Sequence, residues 1–238
     1  MHLRWLPLGD SITWGCGNGI LPHVPDGGCE RDAGSYRIPT AQALEQWNIT
    51  VDTVGSLTAG PASVPEKWQH HEGHPGWTAV QIETISPTWT KFNPEMITVL
   101  LGTNDCGNVT QSGSNNASFV VDSFNALLAT ISSALPSAKV FVASTLAMRS
   151  DIRDGLDAEC GRNLNAALPG ILSANPNFVY VPLYENTSLP LVCGDNTHEY
   201  SIGDGIHPNA FGHLRVASVF SRVIADAYCP NHKNDQSC

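Results

Sequence analysis

Short apolar segments that alternate with segments of helical periodicity are what most constrain the fold of this 238-residue chain. The apolar segments have the length and β-branched content of strands buried on both faces, and they are residues 3–8, 49–54, 96–101, 139–143 and 178–181. Apolar residues recur at helical spacing in residues 39–46, 78–85, 118–134, 160–174 and 209–228. This alternation predicts a parallel sheet covered by helices on both sides, in a single domain spanning residues 1–238.

Polar residues suited to catalysis follow two of the predicted strands. Ser11 comes just after the first strand, and Asn104 comes just after the third. Because the loops at the carboxyl ends of parallel strands face one crevice, both side chains should lie at the same rim. Asp204 and His207, three residues apart near the end of the chain, supply a base and a group that orients it. The pattern predicts acyl transfer, with hydrolysis as the leading hypothesis.

The chemistry assigns each of these residues a role. A serine hydroxyl is a poor nucleophile at neutral pH, so Ser11 needs a neutral imidazole to take its proton. We assign that role to His207, with Asp204 holding the other ring nitrogen. The oxyanion of the tetrahedral intermediate needs hydrogen-bond donors fixed in advance. The natural set is the Ser11 N–H, the side-chain amide of Asn104 and the N–H of a glycine.

Each of these residues also has a purely structural interpretation. A serine after Gly-Asp is more often a helix N-cap than a nucleophile. Asn104 could cap the loop after its strand, and Asp204 begins an Asp-Gly pair that is common in turns. The joint occurrence of these residues, in this order and at strand ends, favours the catalytic interpretation.

Histidines and tryptophans between these motifs raise two further questions. His70, His71 and His74 lie close enough in sequence to suggest a metal cluster. Their spacing requires a particular strand or helix geometry to bring the ring nitrogens together, so we expect no metal and no cofactor. Trp14 and Trp77 could line a sugar-binding surface, and buried tryptophans are the equal alternative.

Charge and hydropathy exclude several classes of partner. The formal charge of −10 and the pI near 5.2 would repel nucleic acid phosphates and anionic lipid surfaces. No apolar run approaches the roughly 20 residues that a membrane span requires. We therefore expect neutral substrates, with neither nucleic acid nor membrane as a partner, and a monomeric protein.

Cysteines and glycosylation sequons indicate a secreted protein whose leader has been removed. None of the seven cysteines forms a C-x-x-C pair, which favours disulfides over zinc. We expect Cys16 to pair with Cys29 and Cys229 with Cys238, and the odd count leaves one thiol unpaired or intermolecular. Asn-x-Ser/Thr sequons lie beside predicted turns or element ends, at Asn48, Asn108, Asn116 and Asn186.

Four motifs resemble the sequence blocks of the SGNH (GDSL-type) hydrolases, and the match spans nearly the whole chain. They are Gly9-Asp10-Ser11-Ile12, Gly76-Trp77-Thr78, Gly102-Thr103-Asn104-Asp105 and Asp204-Gly205-Ile206-His207. More narrowly, residues 71–78, with residues 54–56 upstream, resemble carbohydrate esterase family 3, the acetyl xylan esterases. The resemblance implies a three-layer, flavodoxin-like α/β/α fold with a five-stranded parallel sheet. It also implies metal-independent ester hydrolysis through an acyl-serine intermediate.

The resemblance also assigns residues by matching position. Ser11 is the nucleophile and first oxyanion donor, Gly76 the second donor and Asn104 the third, while His207 acts as base then acid and Asp204 orients it. Gly73 fits the second block loosely too, but the Thr78 that follows favours Gly76. None of the residues matches a G-x-S-x-G elbow, which would indicate the broader α/β-hydrolases.

The function implied is a secreted serine esterase that removes O-acetyl groups from plant cell-wall polysaccharide or oligosaccharide. The alternative within the same mechanism is an esterase of other short-chain acyl, lipid or pectic esters. A different class, a catalytically silent carbohydrate-binding module on the same fold, is opposed by the presence of every reacting group.

Overall fold

The computed structural model describes residues 1–17, 34–111, 117–148, 155–186, 200–202 and 204–230. The strands are β1 His2–Gly9, β2 Thr50–Thr53, β3 Leu57–Thr58, β4 His70–Gly73, β5 Met96–Leu100, β6 Lys139–Ala143 and β7 Phe178–Val181. The helices are α1 Ser11–Trp14, α2 Arg37–Glu45, α3 Ala79–Thr84, α4 Ser86–Thr90, α5 Thr103–Gln111, α6 Ala117–Ala134, α7 Leu156–Leu172, α8 Leu183–Asn186 and α9 Ala210–Tyr228. A short 3-10 helix covers Glu66–Trp68.

Strand β1 is at the centre of the sheet. Strands β2, β1, β5, β6 and β7 lie parallel in that order. Strand β2 accompanies only the first half of β1, and β4 pairs with its end, where Leu8 lies opposite Glu72 and Gly9 opposite Gly73. The carboxyl end of β1 is therefore flanked by β4 on one side and β5 on the other.

The five predicted strands are all present and lie parallel, which confirms the predicted fold, but the sheet has more strands than predicted. The described residues contain a seven-stranded sheet, in which β3 pairs with β4 in antiparallel fashion. Strand β4 has the sequence His-His-Glu-Gly and β3 has only two residues. Neither has the apolar content by which strands are recognised in a sequence.

The side chains of the sheet alternate between two helical layers, which confirms the three-layer fold. Leu3 and Trp5 of β1 belong to a core shared with α2 and α9. Leu6 and Leu8 face the opposite core, which includes α3, α6 and α7. A strand buried on both faces needs apolar residues at nearly every position, which explains why the exposed Arg4 is the one charged residue among residues 3–8.

The long helices agree with the sequence-based prediction, and the differences concern mainly the short ones. Helices α1, α5 and α8 were not predicted, because a helix of four residues has too few positions to show a period and α5 is rich in polar residues. The predicted helix at 78–85 ends at Thr84, and α4 follows directly with a proline in its first turn. Within the described parts of the chain, no helix combines the length and apolarity needed to cross a membrane.

A disulfide between Cys106 and Cys160 joins α5 to α7, with the two Cα atoms 5.6 Å apart. This pairing was not among the predicted ones. Cys16 and Cys229 are disulfide-bonded as well. Their predicted partners, Cys29 and Cys238, lie outside the described residues, so those two pairings stay predictions.

Replacing both Cys106 and Cys160 by alanine should lower the free energy of unfolding by about 4 kcal/mol, because the bridge closes a long loop in the unfolded chain. The two cysteines are 54 positions apart. Urea unfolding without reductant, compared with wild type, measures the change. A loss below about 1 kcal/mol would contradict the loop-closure estimate.

Candidate active site

Ser11 is the first residue of helix α1, which begins directly after strand β1. The helix is capped by Asp10 and not by the serine, because Asp10 Oδ1 accepts a hydrogen bond of 2.9 Å from the Ile12 N–H. Gly9 permits the sharp reversal, since a Cβ there would lie 2.2 Å from Thr13 Oγ1 and 2.5 Å from a carbonyl oxygen of β5. The Ser11 hydroxyl therefore lies at the carboxyl edge of the sheet.

Three consecutive residues, Ser35, Tyr36 and Arg37, bind helix α1 from its far side. Ser35 Oγ donates to the Ile12 carbonyl (3.1 Å), the Tyr36 hydroxyl lies 3.0 Å from Thr13 Oγ1, and Arg37 Nε donates to the Thr13 carbonyl (2.9 Å). The buried guanidinium also donates to the carbonyl oxygens of Trp14, Ala59, Trp68 and Gln69. Burial lowers the pKa of Arg37 to about 10, so it remains a cation at neutral pH. We call residues 35–37 the helix clamp.

Asp204 and His207 lie in the loop that precedes helix α9. Asp204 Oδ1 accepts hydrogen bonds from the N–H groups of Ile206 (2.9 Å) and His207 (2.8 Å), which closes the turn. Asp204 Oδ2 lies 2.5 Å from His207 Nδ1. Partial burial raises the pKa of Asp204, but hydrogen bonds from His207 and the two amides outweigh it and leave the pKa below its ordinary value. The ionised carboxylate holds Nδ1 protonated, which leaves Nε2 as an acceptor.

The serine and the histidine meet across the crevice. Ser11 Oγ lies 2.8 Å from His207 Nε2, although 196 residues separate them in sequence. Gly17, at φ +82°, packs against the histidine loop: a Cβ there would lie 2.9 Å from His207 Cβ and 2.7 Å from the Pro208 carbonyl oxygen. The arrangement allows the hydroxyl to donate its hydrogen bond to a neutral imidazole, as general-base activation of a nucleophile requires.

Asn104 lies in the first turn of α5, just beyond the carboxyl end of β5. The chain turns at Gly102, with φ +110°, where a Cβ would lie 2.3 Å from Thr145 Oγ1. Asn104 Nδ2 donates to the Trp77 carbonyl oxygen (3.0 Å) and lies 3.4 Å from Asp10 Oδ2. The amide is therefore oriented by the segments that follow β4 and β1.

Gly76 is the third residue of a tight turn between β4 and α3. The Trp77 N–H donates to the His74 carbonyl (3.1 Å), and Gly76 has φ +81°, as a type II turn requires at this position. A Cβ at Gly76 would meet no atom within 4 Å, so the backbone conformation and not space calls for glycine. The N–H of Gly73, the alternative residue of this block, donates to a histidine ring nitrogen on β4 (2.9 Å). Gly73 is thus already engaged, which favours Gly76.

Two buried carboxyl groups lie next to these residues. Burial raises the pKa of Asp10 to about 7 and that of Asp105 to about 6. Asp105 Oδ1 accepts a hydrogen bond from the Ala79 N–H (2.9 Å) and so fixes the start of α3. Asp105 Oδ2 is buried and has no hydrogen-bond partner in the described part of the protein. Both groups therefore change ionisation within the near-neutral range.

Two of the clustered histidines, His71 and His74, pack against the two tryptophans singled out in the sequence. His71 is buried and accepts the hydrogen bond from Gly73, and His74 Nε2 lies 2.8 Å from Glu72 Oε2. Trp14 contacts the His71 ring edge-on, and Trp77 stacks on the His74 ring. In residues 1–17, 34–111 and the later described ranges, no group of three or more His, Cys, Asp or Glu side chains is arranged to hold a metal ion.

Some residues of the site were not found by sequence reasoning. Arg37 and Gly17 carry no signal in the sequence, because an isolated arginine or glycine is common in loops and at helix starts. Glu72 and His74 lie in the segment that resembles carbohydrate esterase family 3, but nothing in their spacing showed that they contact each other. The signal available in the sequence was that two polar residues, Glu72 and His74, lie shortly before Gly76.

Asp10→Asn should remove a contribution that lowers stability as the pH rises from about 4 to about 7. Burial raises the folded-state pKa of Asp10 from 3.8 to about 7, so the folded protein keeps a proton that the unfolded chain releases across this window. The contribution of Asp10 to the free energy of unfolding consequently falls as pH rises, by about 4 kcal/mol for a pKa difference of this size. Asparagine keeps an oxygen that can cap α1 but cannot ionise.

Urea unfolding of wild type and Asp10→Asn at pH 4.5 and 7.5 tests this prediction. The quantity to compare between the two proteins is the change in the free energy of unfolding from pH 4.5 to pH 7.5. Burial lowers the pKa of His71 and His213, so both make stability rise with pH, but they do so in both proteins and cancel. An equal pH dependence in the two proteins would contradict the prediction.

The sequence matches the GDSL-like lipase/acylhydrolase family over residues 8–215, which is most of the chain. A comparison with curated proteins gave no match.

Solved structures of carbohydrate esterases have the same fold. A family 3 carbohydrate esterase from Clostridium thermocellum is 28% identical, with 95% of this chain and 97% of that chain covered and a TM-score of 0.70. A family 3 carbohydrate esterase from Talaromyces cellulolyticus is 21% identical, with 94% of this chain and 97% of that chain covered and a TM-score of 0.69. An acetylxylan esterase from Geobacillus stearothermophilus is 16% identical, with 93% of this chain and 94% of that chain covered and a TM-score of 0.63. With its three-layer fold and a family match over most of its length, the chain belongs to the GDSL-like lipase/acylhydrolase family of hydrolases.

Proposed function

We propose that this protein is a serine esterase that removes O-acetyl groups from plant cell-wall polysaccharide, with acetylated xylan or its fragments as substrate. The observation that carries the proposal is the 2.8 Å contact between Ser11 Oγ and His207 Nε2, with Asp204 on the other side of the imidazole. The 28% identity to a family 3 carbohydrate esterase over 95% of the chain supports a carbohydrate ester as substrate.

In the acylation step, Ser11 Oγ attacks the acetyl carbonyl carbon while His207 Nε2 takes the hydroxyl proton. The carboxylate of Asp204 stabilises the imidazolium that forms and keeps its orientation. The tetrahedral intermediate then collapses, and the sugar oxygen leaves with the proton from His207. Acetyl remains on Ser11 as an ester.

The negative charge that develops on the carbonyl oxygen needs donors directed at it. We assign the Ser11 N–H, the Gly76 N–H and the Asn104 side-chain amide to this oxyanion hole. In the second step His207 takes a proton from water and the resulting hydroxide attacks the acyl-serine. The tetrahedral intermediate collapses as His207 returns that proton to Ser11 Oγ, and the product leaves as acetic acid, which ionises to acetate.

We also propose that the protein acts outside the cell as a monomeric glycoprotein. The disulfide between Cys106 and Cys160 supports this, because such bridges persist in oxidising compartments. The sequon residues Asn48, Asn108 and Asn186 are exposed, so a glycan at each could remain in water.

Ser11→Ala should lower turnover of acetylated xylan by at least about 10³-fold, because it removes the hydroxyl that forms the acyl intermediate. Ser173→Ala, at an exposed serine just after α7, is the matched control and should retain wild-type turnover. The assay measures acetate release from acetylated xylan, and from aryl esters of increasing acyl length.

We expect acetyl esters to be the best aryl substrates and xylan to exceed pectin. Preference for long acyl chains or for pectin would support the alternative esterase. The absence of any Ser11-dependent turnover would leave the catalytically silent binding module.

Gly17→Ala should lower kcat roughly 10- to 100-fold, because the new methyl group displaces His207 from Ser11. Its Cβ would approach His207 Cβ to 2.9 Å at a backbone φ of +82°. Gly170→Ala is the control, since a Cβ there meets no atom within 4 Å. Steady-state kinetics give kcat and KM for both variants, and a wild-type kcat in Gly17→Ala would contradict the proposed positioning.

A further inference from the structure

A second histidine–carboxylate pair, Glu72 and His74, lies beside the site and has no role in the mechanism above. Glu72 on strand β4 is fully buried, and its Oε2 lies 2.8 Å from His74 Nε2. Its other oxygen, Oε1, accepts a hydrogen bond of 2.5 Å from the Ser56 N–H. Both carboxylate oxygens are therefore in use, and the His74 side chain is 14% exposed.

A carboxylate in this position is costly unless a partner compensates it. In the described part of the chain, His74 is the ionisable side chain that hydrogen-bonds to Glu72. A carboxylate bound to one ring nitrogen fixes the orientation of an imidazole, as Asp204 does for His207. Glu72 therefore holds the His74 ring in one orientation.

The oriented ring supports the turn that carries Gly76. The His74 and Trp77 rings are stacked, with centroids 4.3 Å apart and planes inclined by 21°. The Trp77 N–H donates to the His74 carbonyl (3.1 Å), and the Trp77 carbonyl accepts the hydrogen bond from Asn104 Nδ2 (3.0 Å). One series of contacts thus runs from Glu72 through His74 and Trp77 to Asn104.

This series bears on catalysis because a side-chain amide is planar. When one Asn104 N–H is bound to the Trp77 carbonyl, the direction of the second N–H is set. Among the described residues, Asn104 Nδ2 makes one further and longer hydrogen bond, of 3.4 Å to Asp10 Oδ2, which the oxyanion can replace. The position of the Trp77 carbonyl consequently determines where the second N–H is directed.

We propose that Glu72 and His74 are positioning residues for the oxyanion hole. Glu72 orients the His74 ring, the ring holds Trp77, and the Trp77 carbonyl directs the Asn104 amide at the transition state. This inference rests on the proposed function, since it assigns the pair a part in that same reaction. Neither residue touches the reacting atoms.

The test is a double-mutant cycle between Glu72→Gln and Asn104→Ala, with aryl acetate as substrate. Asn104→Ala should lower kcat by roughly 10²- to 10³-fold with little change in KM, because it removes a donor to charge present only in the transition state. Glu72→Gln should lower kcat roughly 10- to 100-fold, again with KM within about twofold. In the Asn104→Ala background, Glu72→Gln should lower kcat by less than about threefold, because only its effect on Gly76 remains.

His74→Ala is the second variant and should behave in the same way, since it removes the ring that supports Trp77. The matched control is Asp52→Asn, which breaks the exposed pair of His2 and Asp52, 3.1 Å apart and remote from the strand ends of the site. It should leave kcat and KM unchanged. Thermal unfolding of each variant shows whether it is folded at the assay temperature, and either folded variant decides the test.

The inference would be overturned if the losses in kcat of the two single variants multiplied in the double variant. A wild-type kcat in Glu72→Gln, or an effect confined to KM, would overturn it as well. These outcomes are distinct from failure of the proposed function. That failure would appear in the Ser11→Ala assay, as turnover that does not depend on Ser11.

Discussion

The site depends on where one short helix is held. Helix α1 has four residues, far below the roughly 12 to 15 at which an isolated helix becomes marginally stable, so its place is set by tertiary contacts. Gly9 lets it fold back against the strand end, Asp10 caps its first turn, and the helix clamp of residues 35–37 binds its carbonyl groups. The fully buried Arg37 joins α1 to neighbouring segments, because its guanidinium binds two carbonyl oxygens of the helix and three outside it.

The topology of the sheet brings the other groups to this helix. Strand β1 ends between β4 and β5, both parallel to it, so the segments leaving all three strands emerge at the same edge. The segment after β5 carries Asn104, and the turn after β4 carries Gly76. The hydrogen bond from Asn104 to the Trp77 carbonyl joins these two segments directly. His207 reaches Ser11 from the loop before α9, which packs against Gly17.

Sequence reasoning identified five of the seven strands in the described residues, because strands buried in a parallel sheet are rich in apolar residues and this pattern is visible in the sequence. It missed β4, where polar residues form a strand because Gly9 and Leu8 offer a free edge beside them. It anticipated Ser11, Asn104, Asp204 and His207 as neighbours from their places at strand ends and from family blocks. The contacts of Arg37 with α1, of Gly17 with the histidine loop and of Asn104 with the Trp77 carbonyl join segments distant in the chain, where no local pattern exists.

What the sequence by itself determined is the alternation of five strands with the longer helices, the identity of the polar groups at the strand ends and the membership in a hydrolase family. These follow from local periodicity and from short motifs, which depend on neighbouring residues alone. Only the tertiary structure decided the distance between Ser11 and His207, the engagement of Gly73, and the near-neutral pKa of Asp10. Each of these is set by burial and by contacts across the fold, since solvent exclusion and packing are properties of the assembled layers and not of any one segment.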